Sequence, residues 1–300
     1  MIRPVRFEGN AQTASSNRFQ KSLQLSVQAM QARALSEFDN LAQALRDAGV
    51  RVHVIDDTLE PHTPDSLFPN NWVSFHADGT IVLYPMLALN RRLERRQDVL
   101  ENLSNRSRFR ISRVVDLTHH ERDEKYLEGT GSLVLDRANH IAYACTSPRT
   151  DLDVLGDFAQ QLDYEVVSFE ATDAQGVAIY HTNVLMCIGS RFAAICTEAI
   201  REDSRAGVLA SLRNTGHEVL DLTFDQMNAF AGNMLELKSA EGESLVAMSS
   251  TALQSLTSAQ RELITQHAGR IVSTPIPTIE TLGGGSVRCM LAEVALPAKQ

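Results

Sequence analysis

The chain has 300 residues, 43% apolar and 22% charged, with 28 Lys plus Arg against 37 Asp plus Glu and a net charge of −9 at pH 7. That composition allows a sizeable core, and the acidic balance without a long basic run argues against nucleic acid or an anionic membrane as partner. The start MIRPVRFEGN lacks the apolar stretch of a signal peptide, and no segment approaches the roughly 20 apolar residues of a membrane span, so the expected location is cytoplasmic.

Taken in order, residues 1–7 form a first short apolar run. Leu35, Phe38, Leu41 and Leu45 recur at helical spacing and lead into the strand pattern RVHVID. From Asn70, NNWVSFHADGTIVLYPM passes through the polar turn ADG into a second apolar run, the signature of a β-hairpin, and RISRVVDL follows. From Glu128, EGTGSLVLDRANHIAYACTS repeats the pattern about DRAN. Leu152, Leu155, Phe158 and Leu162 then mark a helix behind Asp151, which leads into YEVVSFE. HTNVLMCIGSRFAAICT from His181 turns at GSR and is followed by HEVLDLT. GNMLELKSAEGESLVAMSS from Gly232 turns at AEGE, and Thr257 with Gln260 makes a capping box ahead of Leu263, Ile264 and GRIVSTPI. A fifth copy, GGGSVRCMLAEVAL from Gly283, runs into an apolar strand pattern but lacks a returning strand, which residues 1–7 can supply.

The starts Asn70, Glu128, His181, Gly232 and Gly283 are 58, 53, 51 and 51 residues apart. The repeated unit of strand, hairpin and helix cannot bury its apolar face alone, so copies should stack around a common axis and close. An ordinary mixed α/β sheet with coincidental spacing is the alternative. In the ring, Asn70/Asn71, Glu128, His181/Asn183, Gly232/Asn233 and Cys289 converge on one central cavity, where ligand sites collect.

A thiol attacks as thiolate, which a histidine oriented by a carboxylate can generate; Cys289, His181 and Glu128 supply those types. Gly283 to Gly285 let the backbone approach a ligand closely, and their amides are candidate donors to a developing negative charge. Taken singly, Cys289 reads equally as a buried small apolar side chain, His181 as a satisfied core histidine and Glu128 as a surface acid. Cys145, Cys187 and Cys196 are read as buried thiols. With no CxxC spacing and no nearby histidine pair, no zinc site or disulfide framework is expected. His119 and His120 in LTHHERDE are read as a solvated loop with no site, and Phe68 and Trp72 as core packing. RRLERRQ is likewise read as a solvated charged stretch with no site, with Arg91 or Arg92, soon after a hairpin, as the alternative contact to a ligand carboxylate.

EGTGS, HTN and GGGSVRCM resemble motifs of the guanidino-group-modifying enzymes: arginine deiminases, dimethylargininases and amidinotransferases. RPVRFEGNAQTASSNRFQ and FPNNWVSFHADGTIVLYPM are similar to the citrulline ureidase branch, also called arginine deiminase-related. The resemblance covers the whole chain. It implies an α/β pentein fold, a five-bladed β/α propeller with pseudo-fivefold symmetry, as a single catalytic domain over residues 1–300. It further implies Cys289 as nucleophile, His181 as general acid/base and Glu128 as the acid acting on that histidine or the substrate. Arg149 in TSPRT resembles an arginine that holds a substrate α-carboxylate.

Deiminases acting on arginine carry aspartate where this chain has Asn71, and again two residues after the histidine, where it has Asn183. Paired aspartates grip a guanidinium, whose N–H groups all donate; a ureido group is neutral and carries a carbonyl acceptor that amides match. Asn71 and Asn183, or Asn70 in place of Asn71, are therefore the expected substrate ligands. The expected activity is hydrolysis of L-citrulline to ornithine, carbon dioxide and ammonia with no cofactor and no metal. A guanidine hydrolase acting on arginine, methylated arginine or agmatine is the alternative, followed by a non-enzymatic pentein binding protein. The expected partner is a small ureido or guanidino amino acid, and a homo-oligomer is left open.

Overall fold

A computed structural model describes residues 1–299. Strand β1 (Ile2–Arg3) pairs in parallel with β2 (Ile55–Asp56), with Ile2 opposite Ile55. Each complete copy then folds into a three-stranded sheet of one design. β3 (Val73–Phe75) and β4 (Thr80–Leu83) form a hairpin and β5 (Arg113–Asp116) adds in parallel to β4. The pattern recurs in β6 (Val134–Asp136), β7 (Ile141–Cys145) and β8 (Glu165–Phe169), and in β9 (Met186–Ile188), β10 (Phe192–Ile195) and β11 (Glu218–Asp221). It recurs again in β12 (Leu235–Lys238), β13 (Ser244–Ser249) and β14 (Arg270–Thr274).

The middle strands read as continuous apolar runs because both their faces are covered: every residue of β7 and β10 is buried. Parallel closure by the third strand requires a crossover, which the helices supply. Helix Leu152–Leu162 starts where the Asp151 carboxylate accepts from the Asp153 and Val154 amides. Helix Ser258–Ala268 carries the full Thr257/Gln260 capping box. Helix Val27–Asp47, capped by Ser26, buries Phe38, Leu41 and Leu45 completely, each contributing about 1.5–3 kcal/mol.

Two expected elements differ. Residues 291–295 join no strand ladder; the Arg288 guanidinium takes the Leu291 carbonyl (2.9 Å) that a partner strand would need. The N-terminal run nevertheless takes the middle-strand position, β2 adding to it in parallel as third strands do elsewhere. In helix Leu152–Leu162, Val154 is buried and Leu152 is 54% exposed, so the apolar face is rotated from the one the leucines mark. No helix among the described residues is long and apolar enough to cross a membrane.

Candidate active site

Near the starts of four of the five copies the chain folds as single helical turns rather than as strand ends: Pro69–Asn71, Gly129–Ser132, Thr182–Leu185 and Val287–Met290. Pro69–Asn71 packs on Gly129–Ser132 and on Val287–Met290, and Gly129–Ser132 packs on Thr182–Leu185. Asn233 completes the circuit, donating to the Asn183 carbonyl (2.9 Å) while its Oδ1 accepts from the Arg288 amide (3.1 Å). The expected set therefore does meet, from positions up to about 220 residues apart.

At the centre, His181 Nε2 lies 2.9 Å from Glu128 Oε2, both side chains buried. An ionised carboxylate only accepts, so Nε2 carries the hydrogen and Nδ1 keeps its lone pair. Nδ1 points past Gly131, where a Cβ would stand 2.7 Å from it and 2.3 Å from Asn71 Nδ2; only glycine fits between them. Burial lowers the His181 pKa to about 4, against the opposing pull of Glu128, so the ring is neutral near pH 7. Burial alone would raise the Glu128 pKa, but Arg149 (3.2 Å), His181 and Arg91 (3.8 Å) hold it far below the usual carboxylate range. Its second oxygen accepts from the Leu87 amide (3.1 Å).

Cys289 Sγ is met by two side-chain amides, Asn183 Nδ2 at 3.5 Å and Asn233 Nδ2 at 3.3 Å. Their orientations are set by backbone: Asn183 Nδ2 also donates to the Thr130 carbonyl (3.1 Å), and the Arg288 amide fixes Asn233 Oδ1. The other three thiols are buried, and burial pushes Cys145 and Cys187 up to about 12 and Cys196 to about 11.

The remaining expected ligands fall differently. Asn71 Oδ1 is held by Arg91 Nη1 (2.9 Å) and its Nδ2 faces the Glu128 carbonyl (3.4 Å). Asn70 is fully buried, yet neither its Oδ1 nor its Nδ2 has a partner among the described residues. Arg149 directs its Nη atoms to Glu128 and to Ser16 Oγ (2.7 Å), its guanidinium 5.0 Å over the Tyr180 ring, with Nε unpartnered. Arg91, expected on a solvated stretch or else against a ligand carboxylate, is instead buried and structural: it grips Glu94 through Nε and Nη2, both at 2.9 Å, and reaches the Phe68 carbonyl (3.3 Å). The glycine run works on closure more than as a donor, since the Gly284 amide is engaged by the Glu280 carbonyl. The Gly284 carbonyl accepts from Tyr180 (2.6 Å), and at φ 62° a Cβ there would strike Asn17.

Two contributors carried no assigned role. Asn233 follows Gly232 within one position of the place that Asn183 occupies in HTN, so the repeat signals it. Asp65 bonds Asn10 (2.7 Å) through Oδ2 and leaves Oδ1 buried and unpartnered; no motif marks it. Residues 8–21 lie across the site: Asn10 on Asp65, Ser16 on Arg149 and Asn17 on the Gly283 carbonyl (3.2 Å). Cys289 is 3% exposed beneath them.

A family model described as "N,N dimethylarginine dimethylhydrolase, eukaryotic" matches residues 3–296. No curated protein sequence matches the chain. Among solved structures, ArgZ, an arginine dihydrolase from the ornithine-ammonia cycle in cyanobacteria, is similar with a TM-score of 0.75 at 19% identity over 99% of this chain. The chain spans 40% of that full-length protein. It spans 98% of the N-terminal domain of ArgZ bound to substrate, with a TM-score of 0.72 at 18% identity over 99% of this chain. A dimethylarginine dimethylaminohydrolase variant carrying an S-methyl-L-thiocitrulline adduct has a TM-score of 0.63 at 14% identity, over 96% of each chain. These likenesses show a shared α/β fold of the pentein type.

Proposed function

We infer the reaction from family and site together: the chain belongs to the N,N dimethylarginine dimethylhydrolase family, within the guanidino-group-modifying pentein superfamily. In our reading the four sheets and the β1/β2 pair are the blades of a five-bladed β/α propeller, with the catalytic groups around its axis. The enzyme is a hydrolase that cleaves the ureido group of L-citrulline to ornithine, carbon dioxide and ammonia. The observation that carries this is the neutral setting of the thiol: two carboxamides at 3.3 and 3.5 Å from Cys289 Sγ, with the nearby Glu128 carboxylate engaged elsewhere. Carboxamides suit a neutral ureido group, which needs donors for its carbonyl and acceptors for its N–H groups. Asn70, with its whole amide unengaged, is the ligand of choice over Asn71. An unpaired buried amide costs about 1–3 kcal/mol, which a hydrogen-bonding substrate recovers.

His181 enters neutral, so it takes the Cys289 proton through Nδ1 as sulfur attacks the ureido carbon. It then delivers that proton to the departing nitrogen. Glu128 and Arg149 hold the ring and balance the imidazolium that forms. The resulting S-carbamoyl or N-alkylated thiocarbamate is hydrolysed by water that His181 deprotonates. Sulfur leaves as thiol, and the carbamate breaks down to carbon dioxide and amine. Arg149 Nε is the donor left for the amino-acid end of the substrate, and entry requires residues 8–21 to lift from Asp65, Arg149 and Gly283.

A second reading, hydrolysis that begins from arginine, is favoured by the unpartnered Asp65 Oδ1, an anionic acceptor suited to a cation. Incubation with L-citrulline and L-arginine separately, with products identified by mass spectrometry, tests both. Ornithine from citrulline with arginine untouched is the expected result. Ornithine or citrulline made from arginine establishes the second reading, and Cys289→Ser retaining native turnover would sink the covalent route in either.

A further inference from the structure

Two consecutive histidines lie outside the catalytic residues. His119 and His120 sit on the helical turn Thr118–Asp123, which connects β5 to Glu128, and both face Asp157 on helix Leu152–Leu162. His120 Nε2 is 2.9 Å from Asp157 Oδ2 and His119 Nε2 is 3.8 Å from the same oxygen, and the three ligand atoms lie within 4.8 Å of one another. His119 Nδ1 is 3.0 Å from the Asp116 carbonyl. A carbonyl only accepts, so Nδ1 carries the ring hydrogen and Nε2 presents a lone pair toward Asp157. Backbone fixing of the tautomer in this way is the usual outer support of a metal-binding histidine.

We propose that His119, His120 and Asp157 bind a divalent transition-metal ion of the zinc class. Two ligands at about 2.0–2.1 Å from a tetrahedral ion stand roughly 3.4 Å apart, and the observed 2.9 and 3.8 Å bracket that value, so small side-chain adjustments complete the set. Two imidazole nitrogens and one carboxylate oxygen suit zinc, nickel or cobalt and leave positions open to water; a hard oxygen-seeking cation such as magnesium is poorly matched. The ion also cross-links the turn to the helix. That turn carries Glu121, which accepts from the Met86 amide (2.8 Å) and from Arg95, while the adjacent Leu87 amide donates to Glu128. The bound metal therefore braces the segment that supports the catalytic carboxylate from behind.

This site does not depend on the reaction assigned above, and its test reads metal binding, not turnover. Zinc chloride is titrated calorimetrically into the native protein and into His119→Ala, His120→Ala and Asp157→Asn, with Tm recorded for each with and without zinc. Cobalt(II) absorption is measured on the native protein. His119 is 55% exposed, so its replacement leaves the fold intact. One saturable ion per chain is expected, weakened at least about tenfold in each variant. A zinc-dependent rise in Tm that the variants lose and a cobalt spectrum without a thiolate charge-transfer band are expected too. Absence of saturable binding, affinity unchanged in both histidine variants, or a thiolate band that vanishes in Cys289→Ser overturns the assignment.

Discussion

Glu128→Gln isolates the energetic centre of the site. Glu128 Oε1 faces the Leu87 amide and Oε2 faces Arg149 Nη1 and His181 Nε2, so every neighbour is a donor. Glutamine's NH2 group must therefore point at a donor in either orientation, and Arg149, 2% exposed, is left buried without its counter-ion. Removing one partner of a buried pair costs about 3–5 kcal/mol. At about 2–4 °C per kcal/mol, Tm should fall by on the order of 10 °C. The sign with pH follows from the lowered carboxyl of the folded state. The unfolded chain takes up the proton near its ordinary 4.5, so the Glu128 contribution is complete above that value and is lost progressively below it. At about 1.4 kcal/mol per pH unit, roughly 2 kcal/mol of the difference between native and variant disappears by pH 3. Urea unfolding of both proteins followed by circular dichroism at pH 7 and at pH 3 measures this. A variant within about 1 kcal/mol of native at pH 7, or a difference that grows on acidification, refutes the buried ionised pair.

Other perturbations separate chemistry from folding. Gly131→Ala forces apart Asn71 and His181 Nδ1 and should cut turnover about a hundredfold, the scale of a misplacement near 1 Å; native kinetics in the variant would remove Nδ1 as the working atom. Gly156→Ala, in helix Leu152–Leu162 with no atom within 4 Å of the new Cβ, should stabilise by about 0.5–1 kcal/mol, read as a raised urea midpoint without change of activity. Iodoacetamide at neutral pH should modify Cys289 before the thiols of Cys145, Cys187 and Cys196, whose burial keeps them protonated. Peptide mapping that finds another cysteine alkylated first contradicts the role given to Cys289.

The amino-acid sequence by itself determined the repeat and its local parts. Turn residues at ADG, DRAN, GSR and AEGE fix hairpins, Asp151 and Thr257 start helices, and apolar runs long enough for one strand become the doubly covered middle strands. These are interactions among residues within about ten positions of one another, and the side-chain types alone dictate them. The same periodicity placed Glu128, His181, Asn183 and Cys289 at or near the starts of three copies, so their meeting was legible before any coordinates. Which atom bonds which was not. Arg91 takes Asn71 Oδ1 and leaves Asn70 free, Arg149 turns to Glu128, Asn233 joins the thiol, and Asp157 meets two histidines from a helix 37 residues away. Those pairings are chosen among competing donors and acceptors crowded into one buried volume, where geometry decides at the scale of an ångström, and only the packed chain supplies that geometry.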